Sequence, residues 1–196
     1  MMQGKSIRIL PLTADRWDDL EALFGARGAS AGCWCMFWRL EGADFKQSRG
    51  EGARLRLKRL TLENDIPGLL AYVNGRAAGW CSIGPRERYL GLEDSRRFRR
   101  FDDTPVWSIV CFFVDKGVRG QGLMRELLSG ALLFAKKRGA HCVEGYPVDV
   151  RTPKLAGHKL QGDQGYMGIV SAFRDVGFIE VGRASETQLI MRYDIT

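Results

Sequence analysis

Arg119-Gly120-Gln121-Gly122 is the part of this sequence whose residue types and spacing best suit the binding of an anion. It stands between an apolar run, Val106 to Val114, and a stretch in which Met124, Leu127, Leu128, Ala131, Leu132 and Ala135 recur at helical spacing. The pattern predicts a strand covered on both faces, a glycine-rich turn and an amphipathic helix. Lys136, Lys137 and Arg138 load the last helical turn with positive charge, and Gly139 supplies the stop. The first amides of a helix lack internal partners and carry the positive end of its dipole, so this junction favours a phosphate. Two common phosphate motifs are excluded. A dinucleotide fingerprint would need glycine where Arg125 stands, and a P-loop would not continue from Gly122 into Leu123 and Met124.

A second cluster, Cys33-Trp34-Cys35-Met36-Phe37-Trp38, follows a glycine-punctuated loop at 25–32. As metal ligands the two thiols are too closely spaced, lack a second pair, and can draw only on His141 and His158, so no metal is expected. Trp34 and Trp38 suit the wall of a substrate pocket, and they equally suit packing between helices. Arg96, Arg97, Arg99 and Arg100 crowd beside Asp102 and Asp103. With only Phe98 and Phe101 for stacking, this segment reads as a solvated loop with local ion pairs rather than a nucleic-acid platform.

Composition narrows the class. The 196 residues are 45% apolar, which predicts one domain spanning 1–196 with a real core. Thirty basic against 23 acidic residues leave +7, a charge suited to a polyanionic partner. The amino-terminal stretch lacks an apolar signal core, and no apolar run could span a bilayer, so no membrane partner is expected. Five cysteines without framework spacing fit free thiols and a cytoplasmic location.

The elements that must position these residues follow in order. Ile7 to Leu10 reads as a first strand, and Thr13 caps a helix through Phe24 that buries Trp17, Leu20, Leu23 and Phe24. Asp44 to Asn64 reads as one basic helix. Gly68 to Val73 and Arg76 to Ile83 form a hairpin about Asn74-Gly75, the pair that a two-residue type I′ turn requires. Residues 84–105 interrupt the sheet. Cys142 to Val148 reads as a fifth strand that bends at Pro147. Tyr166 to Val176 is a last helix stopped by Gly177, and Phe178 to Val181 and Gln188 to Ile195 close the sheet. The class is α/β (α+β): a mixed sheet of about seven strands flanked by about four helices.

Arg119, Gly122 and position 124 match Arg-x-x-Gly-x-(Gly/Ala), with Met124 where glycine or alanine is usual. This resembles the coenzyme A pyrophosphate loop of the GNAT superfamily of N-acetyltransferases. The order of elements is similar to the GNAT order over nearly the whole chain, and YMGIVSAFRDVGF at 166–178 looks like the family's last helix. GCWCMFWR, GWCSIGPR, PVWSIVCFFV and VEGYPVD resemble a bacterial subgroup of largely unassigned acceptor.

The resemblance implies a cofactor-binding core at 106–181 and acetyl-coenzyme A in a cleft where the fourth and fifth strands splay apart. Backbone groups of Phe112, Phe113 and Val114 would pair with the pantetheine arm, and an amide near Val114 would face the thioester oxyanion. Amides from Gly120, Gln121, Gly122, Leu123 and Met124 would hold the pyrophosphate, with Arg119 assisting. Trp34 and Trp38 would then line the amine acceptor's pocket.

An alkyl amine is neutral to about one part in a thousand at pH 7, a penalty of about 4–5 kcal/mol that a general base partly recovers. Glu144, in a strand context similar to that of amino-terminal acetyltransferases, is the candidate base; an ion-paired strand residue is the alternative. The family's frequent tyrosine falls on Phe173, which leaves Tyr146, Tyr166 or water as proton donor. The expected activity is acetyl transfer to a small-molecule or peptide amine, with homodimers common among the proteins resembled. A non-catalytic acyl-coenzyme A sensor and, less favoured, an RNA-associated basic protein are the competing readings.

Overall fold

The computed structural model describes residues 4–157, 160 and 164–195; His158 lies outside them. Seven strands form one mixed sheet: β1 (Ile7–Pro11), β2 (Gly68–Val73), β3 (Arg76–Pro85), β4 (Trp107–Val114), β5 (Cys142–Gly145), β6 (Ile179–Ser185) and β7 (Gln188–Asp194). Their order is β1-β2-β3-β4-β5-β7-β6, and among these described strand pairs only β4 and β5 run parallel. The expected hairpin is present. Asn74 (φ 51°) and Gly75 (φ 83°) both take the left-handed conformation that its turn demands.

Helices α5 (Leu123–Lys137) and α6 (Val170–Asp175) cover one face. Gly79 permits close seating there, since a Cβ would lie 3.1 Å from Leu123 and Leu127 of α5. The other face is covered by α1 (Trp17–Phe24), α3 (Glu51–Leu62) and the loop at 25–41, which pack Trp17, Leu20, Phe24, Trp34 and Leu57 around the buried Trp80. Short helices α2 (Gly42–Ser48) and α4 (Leu90–Glu93) complete the six α-helices among the described residues.

Several sequence expectations need correction. Thr13 precedes a 3₁₀ turn (Ala14–Arg16), and α1 begins only at Trp17. The single helix over 44–64 is two. Gly50 enters the left-handed region at φ 86° and donates its amide to the Gly32 carbonyl, turning the chain between α2 and α3. The last helix starts at Val170, not Tyr166: residues 164–167 form a turn that the Gly168 amide closes onto the Gly165 carbonyl, Gly168 enters the left-handed region (φ 98°), and Ile169 is extended. Residues 84–105 are not simply a solvated loop: Arg86, Tyr89, Leu92 and Phe98 are all buried.

Candidate functional site

The β4–β5 pairing lasts for only Trp107↔Val143, Ser108↔Glu144 and Ile109↔Gly145. Beyond Ile109 the strands fork. Pro147, with no N–H, ends the ladder on the β5 side. The Phe173 ring fills the base of the fork so closely that a Cβ on Gly145 would lie 2.3 Å from it. The position that could have carried a tyrosine hydroxyl is thus a fully buried phenyl packed at 6.1 Å from the Phe112 ring.

Beside the open end of the fork stands the glycine turn. Gly120 (φ 71°) and Gly122 (φ 98°) both occupy the left-handed region, and Gly122 is the residue that opens α5. A side chain at Gly120 would meet nothing within 4 Å, so the turn is open to an incoming group. The first-turn amides of Leu123 and Met124 face this mouth by helix geometry. Arg119 is exposed and tethered, its Nε donating to the Val114 carbonyl at 2.9 Å. Lys5 Nζ donates to Gln121 Oε1 at 2.6 Å and brings a second cation from the other end of the chain. Sequence reading missed Lys5, since nothing local marks a residue that reaches the turn from a distance of 116 positions. Met124 is half-buried against the main core without closing the turn.

The expected edge of β4 is only partly as anticipated. Phe113 pairs with Trp80, and Asp115 donates to Ala78, so alternation turns the Phe113 backbone toward β3 and those of Phe112 and Val114 toward the fork. The Phe112 amide is already engaged: it donates to the Tyr166 carbonyl at 2.6 Å. Val148 in turn donates to Gly168, and Val170 donates to Val148. Residues 166–169 therefore lie as a strap within the fork, in place of the helix that sequence periodicity suggested.

Beneath the fork lies a closed ionic cluster. Glu144 is 1% exposed and has both oxygens engaged. Oε1 accepts from Arg86 Nη1 at 2.9 Å and from the Tyr146 hydroxyl at 2.7 Å; Oε2 accepts from Arg192 Nε at 2.8 Å. Because the Tyr146 proton goes to Glu144, Ser108 Oγ, 2.9 Å away, donates to the phenol oxygen. Arg86 continues to Glu93 and Arg192 to Asp102. Burial first, then the Glu144 carboxylate, pushes the Tyr146 phenol well up, so it stays protonated. Tyr166, half-buried on the strap, is also pushed up, chiefly by burial. Arg86 and Arg192 were missed from sequence because their partners lie 58 and 48 positions away.

Trp34 and Trp38 part company. Trp34 is buried between Trp17 (6.2 Å, stacked) and Phe24 (5.5 Å), a packing role. Trp38 is half-buried and packs with Tyr166 and Phe98. Cys33 and Cys35 form no metal cluster; among the described residues there is none. A separate cavity of about 230 Å³, lined by Arg39, Arg88, Trp107 and Arg138, opens at the far end of β3 and β4 from the glycine turn. No helix among the described residues is long and apolar enough to cross a membrane.

The family model described as "Acetyltransferase (GNAT) family" matches residues 34–159. Solved structures agree in fold. PaiA N-acetyltransferase from Thermoplasma acidophilum, in complex with coenzyme A, aligns with TM-score 0.53 at 13% identity over 97% of this chain and 99% of that one. YncA of Salmonella typhimurium, with its cofactor acetyl-CoA, gives 0.51 at 15% over 97% and 94%. A GNAT-family acetyltransferase from Streptococcus pneumoniae gives 0.52 at 14% over 97% and 100%. None of the curated proteins matches.

Proposed function

The chain belongs to the GNAT family of acetyltransferases, and from that premise we propose that residues 1–196 act as one unit that moves an acetyl group from acetyl-coenzyme A to a primary amine of a small molecule or peptide, by direct attack in a ternary complex. The observation that carries this reading is the open, left-handed glycine turn at the head of α5 beside a fork between two parallel strands. A diphosphate fits that turn: the first amides of α5 lack helical partners, no Cβ intrudes at Gly120, and Arg119 and Lys5 supply positive charge.

Acetyl-coenzyme A supplies an activated thioester and a thiol leaving group. Leu123 and Met124 donate amides to the pyrophosphate, with Gly120, Gln121 and Gly122 shaping the turn and Arg119 closing its rim. Phe112 and Val114 offer the edge of β4 to the pantetheine arm, so the Tyr166 carbonyl has to yield its bond from the Phe112 amide. The Val114 amide, on the same edge of β4, would stabilise the thioester oxyanion. Tyr166, released with the strap and still protonated, is the proton donor for the departing thiolate. Glu144 holds Tyr146, Arg86 and Arg192 in register and fixes the floor of the fork; the amine's proton leaves through water above it. Trp38 forms a wall for the acceptor.

Both oxygens of Glu144 being engaged, together with the hydroxyl missing at Phe173, favour a second reading, a non-catalytic acyl-coenzyme A sensor. Coenzyme A thiol release from acetyl-coenzyme A, followed across a panel of polyamines, amino-terminal peptides and small alkyl amines, separates the two. Amine-dependent release supports transfer. Tight binding with no release above the amine-free rate supports the sensor.

A further inference from the structure

We propose that Cys35 and Cys111 are a modification site: a dithiol that a peroxide closes to a disulfide, stitching the loop at 25–41 to the centre of β4. The two Sγ atoms lie 3.0 Å apart, about 1 Å beyond a disulfide bond, although 76 positions separate them in sequence. Both are free thiols, Cys35 buried and Cys111 half-buried.

The approach is held by the structure around it. Trp34 and Cys35 take φ of 46° and 51°, and Ala29 and Ala31 in the same loop are also positive at 67° and 50°. Side chains other than glycine hold such a conformation only where packing enforces it. Here Trp34 is clamped by Trp17 and Phe24, and the Trp80 indole donates to Cys35 Sγ at 3.1 Å. Cys111 is fixed by its place in β4 opposite Ser82. Neither thiol can drift out of range without disturbing the aromatic core.

The chemistry divides between the two thiols. Burial keeps Cys35 protonated, its thiol well above the ordinary range, so Cys111, the more exposed, is oxidised first. The Cys111 thiolate attacks the peroxide O–O bond, giving a sulfenic acid and, once the leaving oxygen is protonated, one water. The Cys35 sulfur then displaces hydroxide from the sulfenic sulfur, and its own proton leaves with that hydroxide as a second water. Two electrons pass from the thiols to the peroxide. The bridge fixes the loop beside Phe112, the next residue of β4, whose amide faces the fork.

The test is covalent and does not depend on acetyl transfer. The fully reduced chain is treated with a slight excess of hydrogen peroxide, quenched with an alkylating reagent and mapped by peptide mass spectrometry. The expected result is loss of two hydrogens with a peptide pair linking Cys35 to Cys111, reversed by dithiothreitol. A chain-entropy argument for so long a closed loop gives a rise in Tm on the order of 10 °C in the oxidised form. Cys35→Ser and Cys111→Ser each abolish the link and the rise. Oxygen added at Cys111 with Cys35 fully alkylated, or a link that uses Cys33, Cys81 or Cys142 instead, overturns the proposal. The wild-type peptide map decides the matter even if a serine variant fails to fold.

Discussion

Two sites flank one fork and are built by opposite means. At the head of α5 the groups are backbone amides in an exposed, left-handed turn, with Arg119 and Lys5 at its rim. Under β5 the groups are charged side chains, Arg86, Glu144 and Arg192, closed off from water and held by one another. The open site can gain or lose a ligand with little effect on the fold. The closed site can lose no member without stripping a buried charge of one of its partners. A carboxylate in that strand position is therefore not a free base merely by its position; here both of its oxygens are taken up by Arg86, Tyr146 and Arg192.

The comparison breaks first at Glu144. Glu144→Gln leaves two arginines facing a neutral group, and urea unfolding is expected to show a loss of about 3–5 kcal/mol. Unchanged stability together with a lost basic limb in the pH–rate profile would restore Glu144 as a general base. Arg119→Glu is the mirror experiment at the open site. Acetyl-coenzyme A should bind more weakly by about 1.5–3 kcal/mol, roughly ten- to a hundredfold by calorimetry, with Tm unmoved. Gly122→Ala sharpens the same contrast. Its φ of 98° and the Arg125 Nη2 only 2.9 Å from a new Cβ imply a local cost of about 1–2 kcal/mol, read as a small fall in Tm, with weaker cofactor binding where the turn shifts to relieve it.

The smallest effect is in acid. Hydrogen bonding from Arg192 holds Asp102 well below the usual carboxylate range. Burial alone would raise Glu93, but hydrogen bonds from Arg100 and Arg86 hold it below as well. Both folded values are depressed. Their contribution is therefore complete above the ordinary carboxylate range and is lost as pH falls through it toward the folded values. Thermal melts between neutral pH and pH 3 should show that decline, and Arg100→Ala should flatten part of it.

What could be read without coordinates was local. The Asn74-Gly75 turn, the strand ending at Val114 and the Gly120–Gly122 mouth are each written in adjacent residues whose backbone needs are specific. The family order added the fork. The closed cluster was not legible, because residues 86, 102, 144, 146 and 192 meet only after the sheet is assembled. The strap was hidden for another reason: Tyr166 to Val176 has helical periodicity, and Gly168 with the Phe112 amide overrides it locally. Cys35 and Cys111 gave no signal as a pair, since each sits in its own apolar run.

The most direct test follows backbone amides by nuclear magnetic resonance as acetyl-coenzyme A is titrated into the chain. Diphosphate held at the head of α5 with the thioester arm in the fork requires the largest shifts at Gly120 to Met124, with Phe112 and Tyr166 moving together as their hydrogen bond opens. Saturable binding that leaves those amides still and moves others, such as those around Arg39 and Trp107, would contradict it.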